Sequence, residues 1–130
     1  MKNLLIAMIV LASGTLFGQQ NVTAFQNGAQ MEFDKDVHDY GTIQKGANGD
    51  CVFIIKNTGN QPLVIRDAKG SCQCTVPEWP KDPIAPGKSA EIKVKYNTTR
   101  VGVINKSVTI TSNATNGTTK VLKIQGTVVE

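Results

Sequence analysis

Between Ala90 and Asn97 the chain reads AEIKVKYN, and its side chains alternate without a break. Ala90, Ile92, Val94 and Tyr96 fall on one side, Glu91, Lys93, Lys95 and Asn97 on the other. A period of two is the repeat of a β-strand with one buried and one wet face. From Met31 onward no segment shows a helical period over a useful length; short apolar runs alternate with turn residues instead. DCVFIIKN (50–57) carries apolar and β-branched residues on both faces, as a central strand does. TGNQ then turns the chain and PLVIRDAK runs back. Pro62 stands at that strand's first position, where its missing N–H does least harm. NKSVTITSN and VLKIQGTVV flank ATNGT, whose Asn116-Gly117 pair is a strong hairpin signal. MEFDKDVHDYGTI reads as one irregular first strand. The four prolines between Ser71 and Gly87 argue against ladder pairing there, so this stretch reads as a connection. Six or seven short strands predict an all-β, antiparallel immunoglobulin-like β-sandwich over residues 31–130.

The first eighteen residues, MKNLLIAMIVLASGTLFG, do not fit that domain. One positive charge at Lys2, an apolar run from Leu4 to Leu11 and small residues after it make the pattern of a secretory signal peptide, with cleavage expected after Gly18. The run is too short to span a membrane comfortably, and no cysteine follows it to take a lipid anchor. Residues 19–30 are polar and aperiodic and read as a flexible N-terminal segment. The expected product is an exported, periplasmic or secreted chain with no membrane span after cleavage. The net charge of +4 includes Lys2, so it falls to +3 on cleavage. The lysines are scattered, with no basic cluster and no interleaved aromatics, which argues against nucleic acid as a partner.

The motifs HDYGTI, FIIKNTGNQPLVI, SCQCTVPEWP, PIAPGKSAEIKVKYN, GVINKSVTITSN and LKIQGTV occur here in order, from Phe33 to the C-terminus. This set resembles a family of exported bacterial domains catalogued as domain of unknown function 1573, similar in architecture to the immunoglobulin-like domains of Hydin and the major sperm protein. The resemblance implies the sandwich fold and export, and no activity. It would place a strand-ending turn at Asn57, Thr58 and Gly59, make Cys72 and Cys74 the family's paired cysteines, and put a turn at Pro86-Gly87. Gln73 departs from the glycine usual at that position, and Cys51 is not part of the family pattern.

Chemistry has one place to reside, the stretch SCQCTVPEWP. If 50–57 and 62–69 form a hairpin, Asn57 faces Pro62 and Cys51 lies opposite Ala68, so Cys51, Cys72 and Cys74 share one end of the sandwich. Three readings follow. A Cys51–Cys72 or Cys51–Cys74 disulfide would close a loop of some twenty residues and contribute about 3 kcal/mol. Alternatively, Cys72 and Cys74, joined by Cys51, form a redox site or a three-sulfur site for copper or zinc. Against this, one residue rather than two separates the pair, and ring closure over so short a span strains a Cys72–Cys74 bond. In the third reading the two thiols are buried and inert. Trp79, between Pro77 and Pro80, reads as a cap on the core or, with Glu78 and Gln73, as a partner-binding loop. The single histidine, His38, reads as a half-buried strand residue. Asp34, Asp36 and Asp39 read as a solvated edge, because they lack the donors and turn glycine of a calcium loop. Nucleophile-elbow, phosphate-loop and dinucleotide signatures are missing. The sequence therefore predicts a non-catalytic binding or structural module of the bacterial cell envelope with no cofactor, engaging a protein or other envelope component. The alternative is a small thiol-based metal or redox protein.

Overall fold

The structure is a computed structural model that describes residues 27–130. The expected leader 1–18, and residues 19–26 of the expected flexible segment, lie outside the described residues. The remaining four residues of that segment belong to the domain. Ala29 and Gln30 are buried, and Gln30 is held on both sides by backbone contacts to Thr58 and Asn57.

Among the described residues, eight strands form two four-stranded sheets. The front sheet runs in the order β1 (Met31–Phe33), β3 (Asp50–Asn57), β6 (Ser89–Tyr96), β5 (Thr75–Glu78). The back sheet runs β2 (Val37–Gln44), β8 (Thr119–Val129), β7 (Gly102–Ser112), β4 (Ile65–Gly70). The alternation that opened the reading of the sequence is realised in β6: Ile92, Val94 and Tyr96 are buried and Glu91, Lys93 and Lys95 exposed. Phe53, Ile55 and Ile92 from the front sheet meet Val108, Ile110, Leu122 and Ile124 from the back sheet in one core, with Leu63 between them. At about 25 cal/mol per Å² of apolar surface, each of these side chains stabilises the sandwich by about 2 kcal/mol. The β7–β8 hairpin turns at Asn116-Gly117 as expected.

Four features differ from the sequence reading. The first strand is two strands in different sheets: β1 pairs β3, and the chain then crosses at Asp34–Asp36 to β2. Asp34 makes the crossing by accepting from the Ile54 N–H at 2.9 Å, in place of a ladder partner. β2 runs parallel to β8, so the back sheet is mixed rather than purely antiparallel. β5 is a real strand despite Pro77, because it is an edge strand and proline's missing N–H faces away from β6. Finally, β3 and β4 do not form a hairpin; β3 pairs β1 and β6, β4 pairs β7, and Asn57 therefore does not face Pro62, nor Cys51 Ala68. Residues 58–64 instead carry the chain from one sheet to the other, held by a bridge between Leu63 and Ile84 and by hydrogen bonds to Gln30, Asn57 and Asn113.

Candidate functional site

The cysteine turn is another crossing between the sheets, carrying the chain from β4 in the back sheet to β5 in the front sheet. Its start is fixed to the back sheet, where Ser71 N–H donates to the Ser107 carbonyl at 2.8 Å and Ser71 Oγ accepts from Ser107 N–H at 3.0 Å. Its end is fixed to the front sheet, where Asn97 N–H donates to the Cys74 carbonyl at 2.9 Å. The two sheets approach closely here: a Cβ on Gly70 would run into the Thr75 carbonyl, so this position excludes larger residues. Thr75 N–H closes the turn on the Cys72 carbonyl at 3.2 Å.

That turn decides the cysteine pairing. It brings the Cα atoms of Cys72 and Cys74 to 5.2 Å, inside the range a disulfide spans, and the two are joined. The expected bond from Cys51 is not made; Cys51 is a free, buried thiol. The register gives the reason. Cys51 lies opposite Val94 and Thr75 opposite Tyr96, so all three cysteines share one end of the sandwich, but β6 stands between Cys51 and the turn. Two strand spacings are about 9–10 Å, too far for a disulfide. The three-sulfur ligand set for copper or zinc is likewise not assembled. Among the described residues no group of three or more histidine, cysteine or acidic residues is placed to hold a metal ion.

Cys51 sits under Tyr40, whose hydroxyl donates to the Gly49 carbonyl at 2.6 Å. Burial pushes the Cys51 thiol up, and burial likewise pushes the Tyr40 phenol up, so neither is a poised nucleophile at neutral pH. His38 is half-buried, stacks edge-on to Tyr40 and lies 3.2 Å from Lys35 Nζ through Nδ1. Burial first, and then the Lys35 charge, hold its imidazole below the ordinary value of 6.5. The three early aspartates work separately. Asp34 meets Ile54 N–H, Asp36 pairs Lys120 at 2.8 Å, and Asp39 accepts from Gly41 N–H and Gln125 Nε2.

The loop residues singled out in the sequence separate into two places. Glu78 and Trp79 lie on the outer side of the front sheet with Pro80, Glu91 and Lys93; Gln73 stays at the cysteine turn. Trp79 packs against the core, and Lys81 Nζ stands 3.4 Å from its ring centroid, so the residue caps the core and carries a cation on its open side. Next to it a shallow cleft of about 470 Å³ is lined by Asp50, Val52, Val76, Glu78, Lys93 and Lys95. Val76 is 52% exposed at its rim. The sequence reading placed Lys93 and Lys95 on a solvated face, Val52 in a central strand and Val76 in a proline-rich connection, and only the pairing of β5 with β6 brings the four together.

The family model for proteins of unknown function designated DUF1573 matches residues 31–128. The chain belongs to the DUF1573 family. No curated protein matches the sequence. Among solved structures, the DUF1573 domain is similar to a protein of unknown function from Porphyromonas gingivalis W83, at 17% identity and a TM-score of 0.69, covering 97% of this chain and 53% of that one. The chain thus spans about half of that protein's length. It is also similar to an ASH/PapD-like domain of human CEP192 (9% identity, TM-score 0.60, covering 90% and 99% of the two chains). A third likeness is to the periplasmic chaperone SfaE (8% identity, TM-score 0.56, covering 77% and 60%). At these identities the likenesses establish the immunoglobulin-like, PapD-like fold alone. Among the described residues no helix is long and apolar enough to cross a membrane.

Proposed function

We propose that this DUF1573 domain is an exported binding module of the bacterial cell envelope that engages a protein partner through the outer side of its front sheet. The observation that carries the reading is the half-open apolar strip of Val52 and Val76, bordered by Asp50, Glu78, Lys93 and Lys95 and continued by Trp79. An apolar centre with a charged rim of both signs is how protein interfaces are built. The side chains, not the strand edge, make this surface. Pro77 leaves β5 without one of the N–H groups that an added strand would need. Export is supported by the leader-like first eighteen residues, and a likeness to a periplasmic chaperone is in keeping with it.

A photo-crosslinking residue at position 76, compared with one at Val103 on the back sheet, tests the surface in cells. Val103 is 76% exposed and serves as the control. A discrete adduct from position 76 alone is expected, and it should weaken when Lys replaces Trp79. Equal adducts from both positions, or none from 76, would remove this surface from consideration. The intact mass of the same recovered protein reports export, because a chain that still carries Met1 has kept its leader.

A further inference from the structure

We infer that the Cys72–Cys74 pair is a thiol–disulfide exchange site that accepts electrons from a solvent-exposed dithiol. This does not rest on the binding surface proposed above, although the cleft on the far side of Cys74 shares Asp50, Val76 and Lys95 with it.

Three observations separate the pair from a structural staple. First, the bond closes a ring with only Gln73 between its ends, and so short a loop removes little entropy from the unfolded chain. The turn is already pinned by Ser71 and Asn97 without it. Second, both cysteines are half-exposed and line an open cleft whose other walls are Gln73, Asn97, Arg100 and Lys106. Of the described residues, two cations and no carboxylate line that cleft with the cysteines; on the far side of Cys74 a second cleft holds Asp50 and Lys95, one charge of each sign. Cations beside a cysteine favour its thiolate. Third, the Thr75 hydroxyl is buried within a residue only 2% exposed, and its recorded partners are the two sulfurs, at 3.5 Å to Cys72 and 3.7 Å to Cys74. A disulfide sulfur is a poor acceptor, whereas a thiolate is a strong one. The buried hydroxyl therefore gains its proper partner only when the bond is open.

The geometry also orders the steps. Cys74 packs against the core and Cys72 does not, so the incoming thiolate reaches Cys72 Sγ. A bond forms from that thiolate to Cys72 Sγ, and the Cys72–Cys74 bond breaks. Its electron pair stays on Cys74 Sγ, which takes the Thr75 hydrogen bond. The donor's second thiolate then attacks its own first sulfur, closing the donor's disulfide and releasing Cys72 as a thiolate beside Arg100 and Lys106. Two electrons pass to this chain, and the two protons lost by the donor dithiol are taken up from water by the two new thiolates or stay in solution.

The test uses the chain purified without reductant, exchanged against dithiothreitol at neutral pH, then alkylated and weighed. Two thiols should open while the circular dichroism of the fold is kept, with Cys51 unmodified throughout. Thr75→Val, and separately Arg100→Gln with Lys106→Gln, should each slow opening about threefold, as raising the leaving thiol's pKa by about one unit does. Thr75→Ser should restore the rate, which a merely structural threonine would not require. A Cys72→Ser, Cys74→Ser chain should unfold within a few degrees of the parent. The inference is overturned if three thiols react before any reductant is added, if the pair opens only as the chain unfolds, or if all variants exchange at the parent rate.

Discussion

Asn57 shows how much one side chain can hold. It is fully buried, yet every polar atom is used: Oδ1 accepts from Gln30 N–H at 3.2 Å and Gly59 N–H at 3.0 Å, and Nδ2 donates to the Gln61 and Ile84 carbonyls at 2.7 and 2.9 Å. These four partners belong to the N-terminal segment, the 58–64 crossing and the proline-rich stretch, so a single amide ties together three pieces of irregular chain. Asn57→Ala would leave buried backbone groups unpaired and should cost about 3 kcal/mol, read as a lower denaturant midpoint at unchanged slope. A loss below about 1 kcal/mol would mean that water replaces the amide. The sequence places Asn57 at a strand end but carries no sign that its side chain is buried, because two of its four partners, Gln30 and Ile84, are 27 residues away on either side. Thr75, Arg100 and Lys106 escaped notice for the same reason: only the crossing of the chain brings them to the cysteines.

Among the elements, β2 is the one whose shape depends on glycine. Between Asp39 and Thr42 its pairing with β8 slips by one residue, a bulge with Gly41 at φ +69°. Opposite it Gly126 takes φ +148°, and a Cβ there would sit 2.7 Å from the Gly41 carbonyl. Gly126→Ala should therefore cost about 3 kcal/mol, combining backbone strain with a contact between main chains. Gly41→Ala has open space and should cost only about 1 kcal/mol. Thermal unfolding of the two variants checks the order, and a reversed order would refute this account of the bulge. Elements defined by local pattern were legible from sequence: β3 has the range expected, β6 begins one residue earlier, and the β7–β8 turn is where Asn-Gly put it. What was not legible is which sheet each strand joins. Two apolar runs separated by TGNQ look like a hairpin, and nothing local distinguishes a turn from a crossing. The parallel pairing of β2 with β8 joins segments some eighty residues apart, where no periodicity reaches.

For the whole molecule, the fold class followed from short strands and turns, while the strand count rose to eight through the split first strand and the recovered β5. Both changes are edge effects, and the edges decide how such a sandwich behaves in company. β1 has only three residues, β2 is bulged, and β5 carries Pro77, so three of the four edge strands are poor templates for another chain. Pro77→Val restores an N–H on the open side of β5. It should raise concentration-dependent association, seen by light scattering, without lowering thermal stability; an unchanged scattering curve would show that Pro77 has no such guarding role. The crossings between the sheets have a further effect on polarity. The chain enters the domain beside Asn57, whereas the cysteine turn and the last residues of β8, next to Gln44 and Lys45, lie toward the opposite end, a strand's length or about 25 Å away. Asn27 and Glu130 therefore mark opposite ends of the sandwich, and it is Glu130 that shares its end with the sulfurs.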